Sequence, residues 1–366
     1  MRSYQRYIFW FAALAMAAWT APRAFVFAED TPPLKLVQTI ELKDIRSTAP
    51  DVSAAELAKN LTTTRIVGVP NHFDHLTPDL KNERLFVVPE DNKTIEVYNI
   101  RTGKFVHSIK GIGVGHSVVY RADIDRIFVT DGSDGDLKIY NGTSYELLKT
   151  VKLLEDSDAT GYDPNTHYLY IADGGLDAKL NYTFLEIINT DTGEKVGQIK
   201  IDSNRLEAMA VEKGGSRLFL NMTEKNSIGV IDRKKNVVAA VWPLNCKVNA
   251  SVTLDEKNHR LFAACRDGNL NVLDSDTGKV LQNLSIGTGV DDMVYDPASQ
   301  RIYVTPGDGF VDVFKQIDAD HYKSLGKVAT GPLGKTGLLV PSLNKYFVAV
   351  PPHGETSAQV LVFSVQ

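Results

Sequence analysis

Short segments of alternating apolar and polar residues recur along most of the chain and predict β-strands. A basic or aromatic residue followed by alternating apolar and β-branched residues occurs seven times, about 43 residues apart. The starting residues are Arg84, Arg126, Tyr168, Arg217, Arg260, Arg301 and Lys345. A period of two, with many β-branched and aromatic residues, is typical of strands.

The segments around each predicted strand repeat as well. Turn sequences such as GYDPNTH, TLDEKNH and VYDPASQ come before it, and Asp-Pro and Asn-rich runs favour turns. A loop, a third strand such as LKIYNG, a turn of the D-x-x-T-G type and a fourth strand come after it. Four short antiparallel strands in every 40–45 residues are the signature of a β-propeller blade.

The two ends of the repeat predict how the ring closes. The last copy ends at its third strand, QVLVFSVQ, whereas residues 35–42 form a fourth strand with no first three before it. Pairing these strands would complete a blade and protect its edges. We therefore predict an all-β fold: a single seven-bladed propeller over residues 35–366, closed by the N-terminal strand, with an insertion at residues 43–65.

The N-terminal segment has the features of a secretory signal peptide. Arg2 and Arg6 precede an apolar run over residues 7–19, and Val26 and Ala28 place small residues at a cleavage site. An uncleaved anchor is the alternative, but a run of about 13 residues is short for a bilayer span, which needs about 20. We expect removal of residues 1–28, no membrane span thereafter, and a periplasmic or extracellular protein.

Net charge and cysteine content limit the classes of ligand and metal site that we expect. The formal net charge is −5, and loss of the leader removes three arginines and no acid, so an acidic surface does not favour nucleic acid. Cys246 and Cys265 are the two cysteines, too few for a four-cysteine zinc site. Export permits a disulfide between them, although spacing alone cannot establish its geometry. We expect a monomer.

The strand sequences RIFVT and RIYVT, with the D-x-x-T-G turns, resemble the YVTN-repeat β-propeller family in its exported YncE-like branch. The resemblance covers residues 35–366. It implies a propeller of the quinoprotein amine dehydrogenase-like type in the periplasm or at the cell surface. It implies no single activity, because similar propellers include lactonases, lyases, cofactor dehydrogenase subunits and non-catalytic binding scaffolds.

The repeat also predicts which side chains meet. In propellers the first strand of each blade lines the central channel, and ligands usually bind at one mouth of it. The residues ten positions before the seven strand starts are Asp74, His116, Asp158, Glu207, Ala250, Asp291 and Lys335. His75 and Asp292 come one position later, and Arg266 ends a second strand near the same face. All except Ala250 are candidate ligand-binding residues.

Two interpretations of this ring stay open. Converging carboxylates raise one another's pKa or hold a cation, and Asp74, His116, Asp158 and Asp291 could bind Ca²⁺, Mn²⁺ or Zn²⁺. The ring could instead be a hydrated, salt-bridged funnel. Arg266 could bind a ligand carboxylate or phosphate, or pair with a ring acid.

The sequence lacks the G-x-S-x-G, H-E-x-x-H and P-loop motifs, so it assigns no catalytic residue. The first functional hypothesis is a scaffold that binds a small molecule or a protein at the channel mouth. The second is a hydrolase, such as a lactonase, or a lyase that uses the Asp/His/Glu ring, with or without a divalent cation. The third is a redox-associated subunit that docks a partner. No other cofactor is implied.

Overall fold

The protein was analysed as a computed structural model, which describes residues 31–45, 61–63 and 72–366. The predicted signal peptide lies outside these residues, as does most of the predicted insertion. Within the described ranges, no helix is both long enough and apolar enough to cross a bilayer.

The described residues form seven four-stranded antiparallel sheets arranged in a ring, as predicted, and each sheet is one blade. Blade 1 contains β2 (Phe73–Asp79), β3 (Arg84–Pro89), β4 (Thr94–Asn99) and β5 (Phe105–Lys110). Blade 2 contains β6 (Gly115–Arg121), β7 (Arg126–Asp131), β8 (Asp136–Asn141) and β9 (Leu147–Lys152). Blade 3 contains β10 (Thr160–Asp163), β11 (Tyr168–Gly174), β12 (Thr183–Asn189) and β13 (Glu194–Ile201).

The remaining blades follow the same order. Blade 4 contains β14 (Leu206–Val211), β15 (Arg217–Met222), β16 (Ser227–Asp232) and β17 (Val237–Pro243). Blade 5 contains β18 (Asn249–Asp255), β19 (Arg260–Cys265), β20 (Asn269–Asp274) and β21 (Val280–Ser285). Blade 6 contains β22 (Asp292–Asp296), β23 (Arg301–Thr305), β24 (Phe310–Asp318) and β25 (His321–Ala329). Blade 7 contains β26 (Thr336–Val340), β27 (Lys345–Val350), β28 (Gln359–Val365) and β1 (Leu34–Glu41). Short 3₁₀ turns span Glu90–Asn92, Thr223–Lys225 and Pro341–Leu343.

The second strand of every blade is almost wholly buried, and an aromatic ring marks its third position. These side chains are Phe86, Phe128, Tyr170, Phe219, Phe262, Tyr303 and Phe347, each at most 1% exposed. They pack between adjacent sheets, where large apolar side chains contribute most to stability. Fourth strands such as β5 are half exposed because they form the outer edge of the ring.

The ring closes through β1, which pairs antiparallel with β28 from Leu34–Val365 to Glu41–Gln359. Leu34 and Ile40 are buried in the cores on the two faces of this sheet. The prediction that the N-terminal strand completes the last blade is therefore confirmed.

The end of the insertion reaches the channel mouth. Leu61 is buried and packs against Gly289 and Gly307, where a Cβ would collide with its side chain. The carbonyl of Thr63 accepts a hydrogen bond from Arg266 Nη1 at 3.2 Å. This insertion therefore contacts one of the residues predicted to bind ligand.

Candidate functional site

A continuous chain of ion pairs runs around one mouth of the channel. In order, its members are Asp74, His116, Asp158, Arg205, Glu207, Arg266, Asp291 and Lys335, here called the mouth ring. Six of them occupy the predicted positions at the start of first strands. Blade 5 has Ala250 there, and Arg266 from the end of β19 bridges the gap. The structure thus brings the predicted ring residues together.

In blades 1 to 3, one imidazole lies between two carboxylates. His116 Nδ1 is 2.8 Å from Asp74 Oδ2 and 3.7 Å from Asp158 Oδ1. Burial would lower the pKa of His116, but Asp158 and Asp74 raise it well above its usual value. Burial would raise the pKa of Asp74, yet His75 and His116 hold it low. The two carboxylates therefore favour the imidazolium form of His116.

In blades 5 to 7, the charges are fully paired. Arg266 Nη2 lies 2.9 Å from Asp291 Oδ1 and 3.5 Å from Glu207 Oε1, and Lys335 Nζ donates to Asp291 Oδ2. Burial would raise the pKa of Asp291, but Lys335 and Arg266 hold it far below its usual range. Arg266 and Lys335 therefore balance Asp291 and the shared Glu207, and Arg266 pairs with ring acids.

The sector between blades 3 and 4 is different, because four carboxylates surround one guanidinium. Two of them, Asp158 and Glu207, also contact His116 and Arg266. The nearest nitrogen of Arg205 lies 3.2 Å from Glu207, 3.3 Å from Asp156, 3.5 Å from Asp177 and 3.7 Å from Asp158. Burial raises the pKa of Asp156 and of Asp158 to about 6, and neighbouring carboxylates add to this effect. Arg205 opposes it at Asp156, and His116 opposes it most at Asp158. This Arg205 sector has more negative than positive charge.

Sequence reasoning missed Arg205, Asp156, Asp177 and Glu90. Arg205 lies in the connection before β14, and Asp177 lies in the enlarged loop between β11 and β12. Arg205 stands two residues before a ring position, where blade 1 has His72 and blade 3 has Asp156, but the residue type there changes from blade to blade. The unusual length of the blade 3 loop was the available signal for Asp177.

Two members of the mouth ring, together with Glu90, have the composition of a metal site. Asp74, Glu90 and His116 offer ligand atoms that all lie within 4.8 Å of one another. Two carboxylates and an imidazole suit Mn²⁺ or Zn²⁺. Asp158 and Asp291, the other predicted metal ligands, are not members of this cluster. A cation here would have to displace the proton of His116, so its affinity would fall at low pH.

Behind the mouth ring lies a chamber of about 260 Å³. Its wall includes the residues that directly follow five ring positions, namely His75, Ser117, Ala159, Ala208 and Asp292. His75 Nδ1 is 3.1 Å from Asp292 Oδ1, and its Nε2 is 3.4 Å from Asp74. Burial opposes ionisation of His75, but Asp292 and Asp74 raise its pKa well above the usual value. The predicted residues His75 and Asp292 therefore form an ion pair inside the channel.

A disulfide lies beside the mouth ring. Cys246 precedes β18 and Cys265 ends β19, and the structure joins them with their Cα atoms 6.1 Å apart. Arg266 directly follows Cys265, so the cross-link anchors the backbone that carries this arginine.

No protein-family model matches the chain, and no curated protein sequence matches it. Solved structures do match. A chain of the mitotic checkpoint complex superimposes with a TM-score of 0.70 and 14% identity, covering 97% of this chain and 99% of its own.

Two further structures are similar. The RRP9 WD40 repeats match with a TM-score of 0.67 and 12% identity, over 81% of this chain and 94% of theirs. Kuenenia stuttgartiensis hydrazine synthase matches with a TM-score of 0.67 and 14% identity, over 81% and 97%. At such low identity these matches show the β-propeller fold and no activity.

Proposed function

We propose that this protein is an exported propeller of the YVTN-repeat, YncE-like type that binds a ligand or partner segment carrying a positive charge at the channel mouth. The observation that carries the proposal is the Arg205 sector, where one guanidinium faces Asp156, Asp158, Asp177 and Glu207. The strand motifs support the family, and the signal sequence with the disulfide supports export.

A cation would relieve the imbalance in this sector. Asp156 and Asp158 have pKa values of about 6, so near neutral pH each carboxylate is still protonated in a fraction of the molecules. A positively charged ligand would displace these protons. Both side chains are largely buried, and a buried charge pair interacts more strongly than an exposed one. The neutralised sector around Asp291 would hold the rim rigid while the Arg205 sector binds.

A thermal shift experiment with trilysine tests the proposal. We expect trilysine to raise the melting temperature of the wild type, since saturation at about a hundred times Kd adds about 2.7 kcal/mol. Fully acetylated trilysine, which lacks the charges, should have no effect. The Asp156→Asn/Asp158→Asn variant should lose the response.

The control variant is Asp318→Asn/Asp320→Asn, which removes two exposed carboxylates, one at the end of β24 and one in the turn that follows it. It should respond to trilysine like the wild type. The proposal is wrong if the acetylated peptide stabilises equally, or if the mouth variant keeps the full response.

Acid–base catalysis is the second candidate. Asp158 has a pKa of about 6 and lies beside His116, which is the pairing a hydrolase or lyase would need. Hydrolysis of δ-valerolactone followed at constant pH would distinguish the two functions. Turnover that Asp158→Asn abolishes and the control variant keeps would favour the enzyme, and no turnover would favour the scaffold.

A further inference from the structure

Glu90 places an additional carboxylate beside the mouth ring. The chain of ion pairs that defines the ring does not include it, and blade 1 already contributes Asp74. Glu90 is nevertheless 9% exposed, and burial of a further carboxylate is costly unless a partner stabilises it. Counted from the seven strand starts, the equivalent residues are Glu90, Gly132, Gly174, Thr223, Arg266, Gly307 and Pro351. Arg266 bridges the gap that blade 5 leaves in the ring, whereas Glu90 adds a negative charge where the ring has no gap.

Three strands from two blades bring Glu90 together with two ring residues. Asp74 belongs to β2, Glu90 directly follows β3, and His116 belongs to β6 of the next blade. Their ligand atoms all lie within 4.8 Å of one another, and His116 Nδ1 is 2.8 Å from Asp74 Oδ2. A divalent cation bound at about 2.0–2.2 Å places its ligand atoms about 3–4 Å apart, so small side-chain rotations would enclose one. The three side chains are between 8% and 12% exposed, which leaves solvent access to them.

Neighbouring groups hold these three side chains in orientation. His72 Nε2 lies 2.7 Å from Glu90 Oε1, and His75 Nε2 lies 3.4 Å from Asp74 Oδ1. The backbone of Gly132 packs against His116, where a Cβ would lie 2.5 Å from Nε2. Outer contacts of this kind usually fix the ligands of a metal ion. The ligand atoms are therefore directed toward one another by the fold itself.

We propose that Asp74, Glu90 and His116 bind one divalent transition metal ion, with water in the remaining coordination positions. One imidazole and two carboxylates suit Zn²⁺ and Mn²⁺, and such sites bind Zn²⁺ more tightly than Mn²⁺. His72 is a positioning residue that orients Glu90. The inference goes beyond the proposed function, because it requires neither the Arg205 sector nor a positively charged peptide.

Zinc binding to the untagged protein after treatment with EDTA tests the inference. Titration calorimetry measures affinity and stoichiometry, and anomalous scattering from crystals at the zinc edge locates the ion. We expect one Zn²⁺ per chain between Asp74, Glu90 and His116, and weaker binding of Mn²⁺ at the same place. Glu90→Gln removes a ligand and should weaken Zn²⁺ binding by more than about 100-fold, whereas His72→Gln should weaken it about tenfold and keep the stoichiometry.

The matched control is Glu83→Gln, which removes an exposed carboxylate of the same blade that pairs with Arg101. It should bind Zn²⁺ like the wild type. If Glu90→Gln fails to fold, as shown by its melting curve, the position of zinc in wild-type crystals decides the question. A wild type that binds no stoichiometric zinc, an anomalous peak away from these three residues, or a folded Glu90→Gln variant with unchanged affinity would overturn the inference.

Discussion

Asp131 and Asp173 occupy the same position in neighbouring blades, near the end of the second strand. Asp131 faces a cation, whereas Asp173 faces another carboxylate. Asp131 accepts hydrogen bonds from the backbone of Gly113 and Val114 and pairs with Lys138. In blade 3 the position of Lys138 is taken by Glu186. Burial would raise both pKa values, but Lys138 and the backbone donors hold that of Asp131 low.

Asp173 keeps its raised pKa. Burial raises it to about 7, and Glu186 adds to the effect, although the backbone of Leu154 donates to Asp173 Oδ2 at 2.8 Å. Its Oδ1 has no partner. The folded protein therefore holds a proton that the unfolded chain releases above about pH 4, and stability attributable to Asp173 falls as the pH rises from about 4 to 7.

Asp173→Asn should remove this dependence. We expect the variant to exceed the wild type in free energy of unfolding at pH 8 by on the order of 2–4 kcal/mol, and to match it near pH 4, because one pKa unit corresponds to about 1.4 kcal/mol. Urea denaturation at both pH values measures the difference.

Asp131→Asn is the matched control, with the opposite sign. The depressed pKa of Asp131 contributes stability above its unfolded value, so this variant should be less stable than the wild type at pH 8. If Asp173→Asn is destabilised at pH 8 to the same degree, our account of blade 3 is wrong.

At the scale of elements, the sequence predicted the strands well because the same alternating pattern of apolar and β-branched residues occurs in all seven repeats. All seven predicted second strands begin at the predicted residue, from β3 at Arg84 to β27 at Lys345. The six ionisable positions on the first strands were found for the same reason. Arg205 and Glu90 were not found because the residue type at their repeat positions changes from blade to blade. Glu90 directly follows β3 as Arg266 follows β19, and Arg205 lies two residues before a ring position as His72 does.

The closing strand is the element on which the ring depends most. A chain that begins at Lys43 lacks β1, so it exposes the backbone edge of β28 and removes the buried side chains of Leu34 and Ile40. Loss of one such side chain costs about 2–5 kcal/mol, and an unpaired edge favours association.

We expect the chain beginning at Lys43 to aggregate, or to unfold at least 10 °C below a chain beginning at Thr31. Size-exclusion chromatography and calorimetry compare the two. A monomer with an unchanged melting temperature would show that β1 is dispensable for closure.

At the scale of the whole molecule, a ring of packed sheets has an uneven distribution of charge at its mouth. Seven packed sheets hold the first strands in place, and Arg266 and Lys335 balance Asp291 and Glu207 on one side of the mouth. The neighbouring sector leaves Asp156 and Asp158 beside Arg205 together with one further acid, Asp177. The central claim is that this imbalance is what a ligand recognises.

Titration calorimetry with trilysine at pH 6, in two buffers of different ionisation enthalpy, tests this claim most directly. Asp156 and Asp158, each with a pKa of about 6, are partly protonated there, so a bound cation should expel protons to the buffer. The account predicts a binding enthalpy that changes with the buffer in the wild type and loss of that dependence in Asp156→Asn/Asp158→Asn. An enthalpy that is the same in both buffers, or proton release that persists in the variant, would contradict it.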